Sequence, residues 1–415
     1  MAFRTAEFDI RPLEQSGSTC ASICAYASST TKREETSVLA HTASMQQRAA
    51  MYNANAFKIG LFGANCSSGR SATKVPERWS ASWPDCLKLA KMADEAGIDF
   101  MLPIGRWKGY GGDTNFHGST LETVTWAAGL LAATKHITVF GTVHAPLFNP
   151  IIAAKEFVTV DHIGEGRFGI NLVVGWNEGE FDMFGVSQRE HDARYDYAQE
   201  WLDVIKRAWT DHDEFDFAGQ YLKLKGVRAF PKPFGDTRPI IMNAGRSGIG
   251  QSFALKNCDA FFTATVDSRH SIEANAKKVG EIKGAAQAIG REIDVYTVGQ
   301  VVCRPTQKEA DDYYRHAQVD NADWGAIEQM MALKNVTRQT VTPEVYAQQQ
   351  QYYATKAIGG YPFVGTPDRV AEELANISRA GLRGIAVSFI NYLNEVPYFC
   401  DEVLPRLARL GIRRA

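Results

Sequence analysis

The amino-acid sequence predicts an α/β protein, a (β/α)8 barrel of the TIM type with an insertion at the carboxyl face of its strands. Three observations lead there. Eight short runs are almost continuously apolar and rich in β-branched residues, the pattern of strands buried on both faces. Helical stretches separate most of them, which implies a parallel sheet, and eight is the number that closes such a sheet into a barrel. At 415 residues the chain is long for one ordinary domain but normal for a barrel with insertions. The competing architecture is an open doubly wound sheet. It would want a GxGxxG turn after its first strand, and that stretch reads LFGANCSSGRSAT, a loop rather than a dinucleotide turn.

Residues 1–56 differ from everything after them. They are rich in Ser, Thr and Ala, without strand alternation or a long helical stripe, and lack the apolar core of a signal peptide. Such a composition buries too little apolar surface to offset the entropy of ordering, so a disordered extension is expected. The barrel is expected from 57 to 415. Its strands are read at Phe57 to Phe62, Phe100 to Pro103, Ile137 to Thr142, Phe168 to Val173, Pro239 to Asn243, Ala260 to Ala264, Val295 to Cys303 and Gly384 to Phe389. Helices are read at Ser82 to Ala96, stopped by Gly97, and at Thr120 to Thr134, Pro150 to Ile163, Ala193 to Trp209, Ser271 to Ile289 and Pro367 to Ala380. The connection from Cys303 to Gly384 is far longer than one loop and helix require. Its part from 304 to 365, within which the Gln-, Tyr- and Gly-rich stretch from Thr342 to Pro362 ends QQQQYYATKAIGGYP, is expected to be an insertion or lid at the catalytic face.

Composition removes several functions. A formal net charge of −2 gives no field that favours nucleic acid or an anionic membrane, and no basic stripe or RNP motif occurs. Seven cysteines, odd in number and widely spaced, argue against a disulfide framework and fit a reducing compartment. No apolar run approaches the roughly 18 to 20 residues of a membrane helix. A soluble cytoplasmic protein is expected, with no metal site: there is no HExxH and no cluster of Asp, Glu and His at ligand spacing.

In a barrel the active site lies at the carboxyl ends of the strands. There the chain reads Pro103-Ile-Gly-Arg106, Gly141-Thr142-Val-His144, Asn171-Leu-Val-Val-Gly175-Trp176 and Asn243-Ala-Gly-Arg-Ser247. A Gly-Arg-Ser turn opening a helix presents free N–H groups and a hydroxyl, which suits a phosphate. His144 is either an acid–base group or a structural histidine. Glu180 and Asp182 read either as a carboxylate pair or as a solvated helix start. Trp107 and Trp176 are candidate apolar walls. With no nucleophile motif such as GxSxG, the chemistry is expected to come from a cofactor.

Five stretches then carry a resemblance: FMLPIGRWKGYGG (100–112), GRFGINLVVGWNEGEFDMFG (166–185), HDARYDYAQEWLDVIKRAW (191–209), NAGRSGIG (243–250) and FVGTPDRVAEEL (363–374). From about Phe57 to Leu410 the chain resembles the luciferase-like flavin-dependent monooxygenases, in particular the dimethyl-sulfone and pyrimidine types. The resemblance implies FMN, delivered as FMNH2 by a separate NAD(P)H:flavin reductase. It implies O2 as co-substrate, oxygen insertion through a flavin peroxide, and a homo-oligomer. By position, Gly105, Arg106, Asn171 and Glu180 match flavin contacts, and Arg194, Tyr195 and Ser247 match the phosphate site. Thr142 and Asn171 match residues lining the O2 pocket, where a hydroxyl and an amide could donate hydrogen bonds to developing negative charge. Two alternatives stay open: a deazaflavin (F420) oxidoreductase on the same fold, and a flavin-binding barrel without turnover.

The chain also departs from part of that family. Gln300 stands where sulfonate-type relatives carry His, Val298 where they carry Arg, Ile390 where they carry Tyr, and Lys356 where they carry a lid arginine. A neutral substrate, a sulfone or a pyrimidine-like heterocycle, is therefore expected, unless Arg246 or Arg269 rebuilds an anion site.

Overall fold

The computed structural model describes residues 50–264, 270–358 and 360–414. The strands in chain order are β1 (Lys58–Phe62), β2 (Phe100–Leu102), β3 (Thr138–His144), β4 (Phe168–Val173), β5 (Phe215–Ala218), β6 (Lys223–Val227), β7 (Ile240–Asn243), β8 (Ala260–Phe262), β9 (Asp294–Cys303), β10 (Tyr361–Gly365) and β11 (Gly384–Ser388). Eight of them close a parallel barrel in the order β1, β2, β3, β4, β7, β8, β9, β11 and back to β1. The eight runs read from the sequence are these eight strands, because each is buried on both faces and so carries a nearly continuous apolar signal.

Helices cover the outside. They are α1 (Trp83–Glu95), α2 (Thr123–Ala132), α3 (Pro150–Ile163), α4 (Glu178–Met183), α5 (His191–Thr210), α6 (Gly248–Asn257) and α7 (Ile272–Gln287). After β9 come α8 (Gln307–Arg315), α9 (Trp324–Ala332), α10 (Pro343–Tyr352), α11 (Pro367–Arg379), α12 (Tyr392–Glu402) and α13 (Leu404–Arg409). Local chemistry sets their starts. Ser82, Ser271 and Thr366 accept from backbone N–H groups of the first turn, and α1, α3 and α11 have Pro just inside the start. The antiparallel hairpin of β5 and β6 lies outside the barrel and was not read from the sequence; its exposed, charged strands lack an apolar run.

The barrel interior is filled by rings. Phe100 meets Phe140 and Tyr296 edge-on at 5.9 Å each, and Phe262 stacks on Tyr296 at 6.1 Å. Glycines on neighbouring strands make room for them. A Cβ on Gly60 would fall 2.3 Å from the Phe100 ring, and one on Gly169 would fall 2.4 Å from the Phe140 ring. The layers are closed by large-against-small packing rather than by branched aliphatics alone.

Asp99 closes the amino end of the barrel. It is fully buried and accepts from Ile59 N at 2.8 Å, from the Asn53 and Asn55 amides at 2.8 Å each, and from Arg413 near the C-terminus. Residues 1–49 of the expected extension lie outside the described residues. Met51, upstream of the first strand, is buried against the barrel interior.

Residues 304–365 sit at the carboxyl face. The second half of β9, Gly299 to Cys303, pairs with β10, and its last three residues, Val301 to Cys303, run past the register with β11. Thr73 Oγ1 donates to Ala317 O at 2.6 Å, and Asp323 accepts from the backbone of Asp113 and Thr114 at 3.1 and 2.8 Å. The insertion is thereby bonded to the loops that follow β1 and β2. It holds two π-helical turns, at His316–Asp320 and Tyr353–Ala357, a geometry frequent at functional sites.

Gly60→Ala is expected to destabilise the fold by about 1–3 kcal/mol, because the Phe100 ring has nowhere to go. Gly284→Ala on α7, where an added Cβ meets nothing within 4 Å, should stabilise by about 0.4–1 kcal/mol. Denaturant titration of both variants checks the opposite signs.

Candidate active site

Parallel register places Thr142 on β3 directly opposite Asn171 on β4. The Thr142 hydroxyl donates to the Pro103 carbonyl at 2.6 Å and accepts from Asn171 Nδ2 at 3.2 Å. Its single proton is therefore committed, and the donor that stays free on this pair is the second amide hydrogen of Asn171. Gly105 packs beside them: a Cβ there would lie 2.9 Å from His144 Cε1 and 3.1 Å from the Thr142 carbonyl oxygen. Only glycine fits.

Glu180 is the buried charge of the site. Its Oε1 accepts from Arg106 Nη1 at 2.8 Å and from the N–H groups of Trp107 and Lys108 at 2.9 and 3.4 Å. Both side chains are almost fully covered, at 7% exposure for Arg106 and 2% for Glu180. The sequence left open whether Glu180 and Asp182 form a carboxylate pair or a solvated helix start, and neither holds. Asp182 is exposed, whereas Glu180 faces inward to the arginine.

Arg106 also lies over the rings of Tyr110 at 4.9 Å and Trp176 at 5.5 Å. Lys334, from the insertion, sits 3.3 Å from the centre of the same Trp176 ring. Trp107 instead packs in an aromatic cluster with Phe148 and Phe184. His144 is buried, its Nδ1 has no hydrogen-bond partner, and burial pushes its pKa down to about 4. It is a neutral imidazole near pH 7.

The third part of the site opens α6. Ser247 caps the helix, its Oγ accepting from Gly250 N at 3.1 Å. The Tyr195 hydroxyl interacts with the Ser247 side chain and lies so close to Gly250 that an added Cβ would sit 2.4 Å from it. Arg194 donates through Nη1 to the Gly175 carbonyl, while its Nε is buried without a partner. Tyr195 and Ser247 are thus brought together from elements far apart in sequence. Arg194 anchors beside them to the loop that follows β4.

The positions expected to lack charge do so. Val298 is buried in the barrel interior, Ile390 is fully buried, and the Gln300 amide donates to Ser71 Oγ at 2.6 Å. Lys356 lies in the second π-helical turn. Arg269 falls outside the described residues. Two cations were missed. Arg70 lies in the loop after β1, which was read only as a non-dinucleotide turn, and Lys334 lies in the insertion; the rule that sites gather after barrel strands could have flagged Arg70.

Residues 57–384 match the family model described as luciferase-like monooxygenase. The chain belongs to the luciferase-like monooxygenase family. It is 29% identical over 362 residues to an FMNH2-dependent dimethylsulfone monooxygenase of Pseudomonas putida, covering 86% of this chain and 97% of that one. It is 27% identical over 351 residues to a pyrimidine monooxygenase of Acinetobacter baylyi, covering 84% and 94%. The crystal structure of a long-chain alkane monooxygenase superposes with a TM-score of 0.76 at 20% identity over 88% of this chain and 93% of that one. As a luciferase-like monooxygenase, the chain is an oxidoreductase.

His117 is buried as His144 is, its pKa lowered to about 3 by burial and then by the Arg106 charge. In the unfolded chain both protonate near pH 6.5, so below that pH the unfolded state binds more protons. Stability is expected to fall as pH drops from about 6.5 towards about 4. Denaturant midpoints across that range check it, and His144→Gln should flatten the slope.

Proposed function

We propose that this chain is the oxygenase of a two-component system. A separate NAD(P)H:flavin reductase supplies FMNH2, the barrel binds it, and one atom of O2 enters a small organic substrate while the other leaves as water. It works in the cytoplasm, as a homo-oligomer. The observation that carries this reading is the cradle at the start of α6. Two tightly packed glycines, a capping hydroxyl, a tyrosine hydroxyl and an arginine with a buried, unpartnered Nε form a donor set suited to a phosphate dianion.

FMNH2, when bound, supplies the two electrons that activate O2. The protein's part is to hold and to shield. Ser247, Tyr195 and Arg194 bind the phosphate. Glu180 fixes Arg106 and the 105–108 backbone against the ring site, and Gly105 keeps the wall there low. Thr142 turns the Asn171 amide so that its free N–H points at developing negative charge, where a preorganised donor is worth most. The 304–365 insertion acts as a lid that excludes water. The expectation of a neutral sulfone or heterocycle rests on Val298 and Gln300, which carry no charge.

Arg194→Ala should weaken FMNH2 binding by about 1.5–3 kcal/mol, read by anaerobic fluorescence titration. Unchanged affinity in the folded variant overturns the phosphate assignment. Thr142→Ala should bind FMNH2 normally yet release hydrogen peroxide in place of oxygenated product. Oxygen uptake with FMNH2 and a panel of sulfones, pyrimidines and small acids tests the reaction itself.

A further inference from the structure

Helix α9 of the insertion is tied to the barrel differently at its two ends. At its start Asp323 is fully buried and caps the helix, accepting from Ala326 N at 3.2 Å. The same carboxylate accepts from Asp113 N, Thr114 N and Thr114 Oγ1 in the loop after β2, at 3.1, 2.8 and 2.6 Å. The two backbones meet there with no room for a side chain: a Cβ on Gly112 would lie 2.3 Å from Asp323 Oδ1 and 2.5 Å from Ala326 N. Asp323 N also donates to Ala72 O at 2.9 Å, and Lys74 N to Asn321 O at 2.7 Å, in the loop after β1.

The far end is held lightly. Asn335, in the left-handed region, ends the helix, and Val336 N donates back to Met331 O at 3.0 Å. That turn sets Lys334 on the ring of Trp176, in the loop after β4, 3.3 Å from its centre. Both residues are exposed. Among the described residues no hydrogen bond or ion pair joins 324–341 to the barrel; Arg338 and Thr340 spend theirs within the insertion. A buried carboxylate with several charge-assisted hydrogen bonds is a strong tie, whereas a cation on an exposed ring is a weak one. Strain that lifts α9 therefore breaks the Trp176 contact first and leaves the Asp323 bonds whole.

The two ties flank β3, which lies between β2 and β4 in the barrel and carries Thr142. The nine residues of α9 span about 14 Å, against about 10 Å for two strand spacings, so the helix is long enough to cross the end of β3. Trp176 is itself placed by the site, since its ring also lies 5.5 Å from the Arg106 guanidinium that Glu180 holds.

We propose that α9 is the moving gate over the Thr142–Asn171 pair, hinged at Asp323 and latched by Lys334 on Trp176. This rests on the oxygenase reading above and names the part of the insertion that opens, the edge at which it opens and the residues that hold it shut.

Hydrogen exchange on the full chain, read by mass spectrometry without flavin, tests the hinge and the latch. Lys334→Gln should raise exchange in 327–336 by about two- to five-fold, the worth of one exposed cation–π contact, and leave 110–118 unchanged. Lys334→Arg, which keeps the cation, should exchange as the wild type does, and Trp176→Leu should repeat the effect of Lys334→Gln. Asp323→Asn should loosen 110–118 and 324–341 together. Unchanged exchange in Lys334→Gln overturns the latch, and a rise in 110–118 alongside it overturns the hinge. If Trp176→Leu does not fold, Trp176→Phe, with its weaker ring, should give an intermediate rise. The gate itself is read from the FMNH2-loaded protein in air without substrate: Lys334→Gln should release hydrogen peroxide about two- to five-fold faster while FMNH2 affinity stays within about two-fold. Unchanged release overturns the gate. Failure of FMNH2 to bind the wild type defeats the oxygenase reading instead, since the exchange measurements need no flavin.

Discussion

One buried carboxylate organises the mouth of this barrel. Glu180 reaches from the first helix after β4 to the loop after β2 and there accepts from a guanidinium and two backbone N–H groups through one oxygen. An ion pair this dry is stable only when both partners are held, because either one left alone is an unpaired buried charge. The geometry of residues 105–108 follows from it. Arg106 is pinned beneath Tyr110 and Trp176, and Gly105 is set against Thr142 and His144. The same pair sets opposing fields at His144, where the carboxylate favours protonation and the guanidinium opposes it, leaving burial to keep the ring neutral.

The fold was legible wherever burial is two-sided. Barrel strands such as Phe168–Val173 face helices on one side and ring layers on the other, so their apolar runs are nearly continuous. The β5–β6 hairpin is exposed and charged, and no periodicity separates it from a loop. The extension of β9 past the barrel was hidden for the opposite reason: Val295–Cys303 reads as one strand, and nothing in it says that its second half pairs with β10 of the insertion. Nor does Gly60 announce that it is a slot for Phe100, since the two meet only through strand register.

The site was legible in pieces. Ser247 could be read from its own neighbourhood as the cap of a helix after a barrel strand. Arg194 and Tyr195 sit inside a helical pattern, and only the resemblance singled them out. Thr142 and Asn171 were both expected as donors. Register alone shows that the hydroxyl is spent on Pro103 and that its contribution is to orient the amide. Glu180 was ambiguous because its partner lies 74 residues away in sequence.

Substrate charge is where a position-by-position comparison has its narrowest view. The absence of cations at Val298 and Gln300 is real, yet it describes two strands, and an ion in a barrel mouth is seen from all eight. Gln300 is not idle: its amide and that of Gln318 both donate to Ser71 Oγ, at 2.6 and 3.0 Å. Ser71 is the residue after Arg70. Gln300 of β9 and Gln318 of the insertion are thus tied through one hydroxyl to the loop that carries Arg70. A change at Gln300 is therefore felt both at the residue next to Arg70 and, through the shared hydroxyl, at the insertion.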